Sequence, residues 1–99
     1  MNNQKVLEVI AIYRAYFEER NIHKIDFPHT LSLANYGDQA KEMALSHCHG
    51  MLDQMESFVA EGRMEKTFRW LGFIQGVLWL TGCYTLEELK NQNRPNSAT

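Results

Sequence analysis

The apolar positions of this chain fall into four blocks at helical spacing, separated by polar or turn-forming segments. From Asn2 to about Arg20, the series Val6, Ile10, Tyr13 and Phe17 advances by three or four residues at a time, which predicts an amphipathic helix with one buried face. Leu7, Val9, Ile12 and Tyr16 widen that face. Glu8, Arg14, Glu18, Glu19 and Arg20 keep the far side polar, and Asn21 supplies a stop. In the second block Asp38 suits an N-cap and Gln39 to Glu61 follows as a helix. Its inner face reads Ala44, His47, Met51, Met55, Phe58 and Gly62, flanked by Ala40, Met43, Cys48, Leu52 and Val59. Gly62 can take the left-handed conformation that ends a helix, and Arg63 begins the next almost at once. The two helices are therefore expected to form a tight antiparallel hairpin.

The third block, Arg63 to Gly82, reads RMEKTFRWLGFIQGVLWLTG and predicts one helix of about 30 Å. It is apolar on more than one side. Phe68, Leu71, Ile74 and Leu78 form one stripe, Trp70, Phe73, Val77 and Leu80 a second, and Trp79 stands outside both. A helix apolar nearly all round is buried against several neighbours, and a chain of 99 residues has few to offer, so the second stripe predicts a homo-oligomer. Gly72 and Gly76, four apart, each cost roughly 1 kcal/mol relative to alanine in a helix. Together they mark a close approach, either by the chain's own first or second helix or by the same helix of another subunit. With Trp79 they make the candidate oligomer interface.

After Gly82, Thr85 opens the sequence TLEE, a capping box that places Glu88 at the third helical position. A short helix from Leu86 to about Asn91 is expected to tuck Leu86 and Leu89 against the bundle, with Arg94-Pro95 beyond it. The fold class is thus all-α: a small helical bundle built on a long antiparallel hairpin, about 38–61 and 63–82, with an N-terminal helix and a short C-terminal one. Residues 1–91 are read as a single domain and 92–99 as a disordered tail. Between the first two helices, residues 22–37 lose the helical period. Pro28 biases Phe27 away from the helical region, and Asn35 with Gly37 brings turn chemistry. This segment is either a loop pinned over the bundle by Ile25, Phe27, Leu31 and Leu33 or a lid over a pocket.

Composition narrows the function classes. Apolar residues at 44% with 11% aromatics belong to a folding chain, and a formal net charge of −2 argues against general nucleic-acid binding. Cys48 and Cys83 have no framework spacing and read as buried small hydrophobes rather than a disulfide. The N-terminus lacks the apolar run of a secretory signal, and the longest apolar runs fall short of a membrane span. A cytoplasmic protein with no membrane association is expected.

Candidate chemistry is sparse. In His47-Cys48-His49 the side chains one and two apart diverge on a helix, so they do not meet at one metal ion; His47 is expected to face the core and His49 elsewhere. Asp53 and Glu56 lack the paired inward Glu-x-x-His motifs of bundle metal sites. Ser46 and Cys48 lie inside a helix whose amides are already used, and no glycine-rich loop precedes a helix. No enzyme, metal or cofactor is therefore expected. One constellation suggests a ligand. Arg63, Lys66 and Arg69 step by three beside Trp70, and cations next to aromatic rings can hold phosphate and stack on bases. Taken alone the stripe is a solvated face, with Glu61 and Glu65 beside it; in an oligomer it converges from several chains.

The run from Glu61 to Pro95, EGRMEKTFRWLGFIQGVLWLTGCYTLEELKNQNRP, resembles small tailed-bacteriophage proteins that carry no assigned activity. The segment Arg69-Trp70-Leu71, with Gln75-Gly76 following in the same helix, is similar to the helical-hairpin sponges by which phages sequester cyclic-nucleotide signals of bacterial immunity. That resemblance implies a counter-defence protein holding a small anionic ligand, a signalling nucleotide, between subunits. Arg63, Lys66 and Arg69 would hold the phosphate and Trp70 or Tyr36 the base. The alternative expectation is a protein-binding inhibitor of a host enzyme or defence complex, with no small-molecule ligand.

Overall fold

Most of the helix ends are set by short-range signals. The structure, a computed structural model, describes residues 1–95. Helix α1 runs Asn3–Glu19, and the Asn2 side chain caps it by accepting from the Lys5 N–H at 2.8 Å. It stops where Asn21 takes a left-handed φ of 56° and the Ile22 N–H turns back to the Phe17 carbonyl. Helix α2 is Ala40–Ala60 and helix α3 is Met64–Leu80. Between them Gly62 sits at φ 76° and the Arg63 N–H returns to the Phe58 carbonyl at 2.8 Å, closing the hairpin. The same device recurs at Gly82, φ 79°, with the Cys83 N–H on the Leu78 carbonyl. Helix α4, Leu86–Asn93, carries both bonds of the Thr85–Glu88 capping box. It runs two residues past the expected end, so Gln92 and Asn93 belong to the fold rather than to a tail. The tail expectation for residues 96–99 lies outside the described residues.

The start of α2 departs from expectation. Asp38 does not cap it. A 3-10 segment, Leu33–Gln39, runs into the helix with a break at Gly37, and Gln39 occupies the cap position without a side-chain bond. The core lies between α1, α2 and α3. Val6, Ile10, Tyr13 and Phe17 of α1 are buried as their spacing predicts, together with Val9, whereas Leu7 and Ile12 are exposed. Helix α2 contributes Cys48, Met51, Leu52, Met55, Phe58 and Val59, and also Leu45, which the sequence reading passed over. In α3 the buried stripe is Thr67, Leu71, Ile74 and Leu78. Thr67 replaces the expected Phe68, because its hydroxyl satisfies itself on the Arg63 carbonyl at 2.8 Å while Phe68 turns outward. In α4 Leu89 is buried but Leu86 is not.

Two polar clusters tie the elements together. Asp53 and Glu56 on α2 clasp the Arg14 guanidinium from α1 at 2.8 and 2.6 Å, and Lys24 joins Asp53 at 2.9 Å. Lys24, with Arg14, holds the Asp53 carboxyl below its usual range. On the other side of α1, the Tyr13 hydroxyl accepts from Gln75 of α3 and donates to Gln92 of α4. Burial pushes the phenols of Tyr13 and Tyr16 up to about 12, and that of Tyr84 in the same direction, from an ordinary 10.0.

The sign of the resulting pH dependence follows from linkage. Groups whose pKa is higher folded than unfolded lend stability that is complete below about pH 10 and is lost as pH climbs through the folded values. The urea midpoint is expected to hold to about pH 9 and fall between about pH 10 and pH 12. A midpoint constant to pH 12 would contradict the burial of these rings.

Candidate functional site

The hairpin tip does not assemble the expected ligand site within one chain. Arg63 lies 3.5 Å from Glu61 and over the Phe58 ring, and Arg69 lies 3.4 Å from Glu65. Lys66 sits over the rings of Phe58 and Trp70 at 4.6 and 5.6 Å. Trp70 meets Phe58 edge-to-face at 4.8 Å and is half-buried. Tyr36 is elsewhere. It packs on Phe27 at 5.4 Å in the segment before α2, whereas Arg63 follows the end of that helix. A helix of 21 residues spans about 30 Å, so Tyr36 and the basic stripe face opposite ends of the hairpin.

The outer face of α3 is the feature the structure leaves unpartnered. With Thr67, Leu71, Ile74 and Leu78 turned into the core, the opposite side of the helix carries Phe68, Gly72, Gly76 and Trp79 in one row, and Arg69, Phe73 and Leu80 beside it. Phe73 is 53% exposed, Trp79 51% and Leu80 80%. Leu86 of α4, also exposed, lines the same hollow as Trp79 and extends the face. Aromatic side chains carry about 150–250 Å² each, so this apolar face is on the order of 500 Å², near the upper end of what a monomer leaves open. The expected second stripe therefore divides: Trp70 and Val77 are half-buried, Phe73 and Leu80 are not. Gly72 and Gly76 have open space above them, with nothing within 4 Å of an added Cβ. This removes the reading in which the chain's own first or second helix packs on them.

The histidines exchange the roles expected of them. His49 is the buried one. Its Nδ1 donates to the Ile22 carbonyl at 2.6 Å, its ring lies against Phe17, and its Nε2 is buried with no hydrogen-bond partner among the described residues. His47 is half-buried, and its Nδ1 accepts the Phe27 N–H at 3.2 Å. Both rings are claimed by the strap of residues 22–27, whose path no helical periodicity encodes. The strap crosses α2 at Gly50, where the Ile25 N–H also meets the Ser46 carbonyl at 3.2 Å. His29 comes within 6.2 Å of His47, ring to ring, yet among the described residues no group of three His, Cys, Asp or Glu side chains could hold a metal ion.

Cys48 is buried and its thiol is pushed up to about 12 by burial, which keeps it protonated and a poor nucleophile. Cys83 is half-buried and 3.4 Å from the Thr81 hydroxyl, and both cysteines are free. No helix is long and apolar enough to cross a membrane, among the described residues. No protein-family model, curated protein or solved structure matches the chain.

Proposed function

We propose that this protein acts without catalysis, by docking the outer face of α3 on another protein. The observation that carries this reading is the run of Phe68, Phe73, Trp79 and Leu80, exposed on one helix with two glycines between the rings. Large exposed apolar patches mark protein interaction sites, and a helix face of this kind suits a groove or a second helix. Joined to the resemblance of residues 61–95 to tailed-phage proteins, the reading is of an inhibitor that captures a host enzyme or defence complex in the bacterial cytoplasm. Sequestration of a small anionic nucleotide between subunits is the competing reading. Its support is the stripe of Arg63, Lys66 and Arg69, each of which already has an acidic or aromatic neighbour.

Affinity purification from a bacterial lysate, followed by reconstitution of the captured protein at defined stoichiometry, tests this reading. Trp79→Asp with Leu80→Asp is expected to weaken that complex at least tenfold and to leave the helical content unchanged. A complex indifferent to those charges overturns the reading. So does a homo-oligomer that buries the face and takes no further protein. A rise in melting temperature with cyclic nucleotides, abolished by Arg69→Ala, would put the sequestering function in its place.

A further inference from the structure

Apart from the α3 face, the molecule has a groove between α2 and α3, roofed by the segment that follows the strap. Its volume is about 390 Å³, and Leu31 and Leu33 of the roof, Met43 and His47 of α2, and Val77 of α3 are among its walls. That volume lies within the range of small-molecule sites, which are apolar with a few fixed polar groups. The groove has two polar side chains, His29, exposed on the roof, and His47, whose ring is fixed by the backbone. Because a backbone N–H can only donate, the Phe27 N–H on Nδ1 requires a lone pair there and leaves the proton of the neutral ring on Nε2. No described residue accepts from that Nε2–H. The ring is also held edge-on to Phe73 at 6.3 Å.

The charge of the walls selects the ligand class. No lysine or arginine lines the groove. Desolvation lowers the His47 pKa, so the ring is neutral near pH 7. Asp26 lies 3.8 Å from His29 on the roof and brings a negative charge near the mouth. A carboxylate or phosphate entering here would lose water and meet only His29 as a possible cation, with the Asp26 carboxylate beside it, whereas an uncharged carbonyl needs only one donor.

We propose that the groove binds a small uncharged apolar molecule bearing a carbonyl oxygen, which accepts the Nε2–H of His47 while the apolar body lies against Leu33, Met43 and Val77. The site shares Phe73 with the α3 docking face but none of Phe68, Trp79 and Leu80, and it stands or falls without that reading.

The test uses 2-nonanone as probe and nonanoate as its charged counterpart, followed by amide NMR shifts of the full chain. Saturable shifts are expected in residues 27–33, 43–47 and 73–77, with nonanoate at least fivefold weaker. Leu31→Glu, at a half-exposed position on the roof, is expected to abolish the shifts without unfolding the protein. His47→Phe, which keeps a ring and removes the donor, should weaken the ketone about fivefold. Non-saturable shifts, shifts centred on Trp79 and Leu80, equal binding of nonanoate, or indifference to Leu31→Glu would each overturn the proposal.

Discussion

Gly50→Ala is expected to destabilise the protein by about 2 kcal/mol, against the usual direction of a glycine-to-alanine change inside a helix. Mid-helix, alanine ordinarily gains up to about 1 kcal/mol by restricting the unfolded chain and favouring the helix. Here the new Cβ would meet the Ile25 carbonyl oxygen at 2.8 Å, with the Ile25 carbon at 3.7 Å. The obstacle is backbone, and it cannot rotate away. To admit the methyl, the strap must lift off α2, and it is held there by the Ile25 N–H on Ser46, the Phe27 N–H on His47, and His49 on the Ile22 carbonyl. Overpacking of this kind typically costs about 1–3 kcal/mol, which exceeds the propensity gain. For a domain of this size the melting temperature should fall by roughly 10 °C. Gly76→Ala supplies the control, since open space lies above that position, and it should raise the chain's own stability by up to about 1 kcal/mol. Urea denaturation of the two variants decides the matter. A Gly50→Ala protein as stable as the parent would mean that the strap does not cross α2 at this point.

Gln75→Ala is expected to cost about 2 kcal/mol and to loosen α4 selectively. The Gln75 amide donates to the Tyr13 hydroxyl at 2.9 Å and to Asn93 Oδ1 at 2.6 Å, and accepts from Asn93 Nδ2 at 3.0 Å. Tyr13 in turn donates to Gln92 at 2.7 Å, so one side chain of α3 joins α1 to the last turn of α4. Each such bond contributes about 0.5–1.5 kcal/mol net, and the orphaned partners add to the loss where water cannot reach them. Gln75, Gln92 and Asn93 are half-buried while Tyr13 is fully covered, which keeps the figure toward the lower end of what three such bonds give. A double-mutant cycle with Asn93→Ala should show coupling of roughly 0.5 kcal/mol or more. Amide exchange should accelerate over residues 86–93 ahead of α1 and α2. If exchange rises evenly along the chain, or the cycle shows no coupling, this network does not anchor α4.

The α3 face and the groove beneath residues 27–33 make different demands on the same small molecule. Neither Trp79 nor Leu80 lines the groove, and Leu31 lies on its roof rather than on α3, so the two readings are separable by substitution. Phe73 is the residue common to both. Its ring is half-exposed on α3 yet lines the groove and meets His47, so variants at Phe73 are expected to disturb both readouts.

Much of the fold was legible in the residues because its signals act over about four positions. The turns at Gly62 and Gly82 and the Thr85–Glu88 box each close on a backbone group nearby in sequence, and the hairpin follows from two periodic runs separated by a left-handed glycine. The buried stripe of α1 emerged from spacing for the same reason. Asp38 misled because a 3-10 segment already leads into α2, which removes the need for a side-chain cap.

What the sequence by itself determined, then, is the helices, their ends apart from the start of α2 and the last two residues of α4, and the pairing of α2 with α3, all consequences of local backbone chemistry and periodicity. Only the tertiary structure decided which apolar stripe of α3 is covered, that His49 rather than His47 is buried, that Gly50 lies beneath Ile25, and that Gln75 reaches Asn93. The separation of Tyr36 from Arg63, Lys66 and Arg69, by contrast, follows from the length of α2, which the periodicity already implied. The period of a helix fixes the direction in which a side chain leaves the axis, but not whether a neighbour lies in that direction. That depends on the path of residues 22–37 and on contacts between residues far apart in the chain, for which neither spacing nor composition carries a signal.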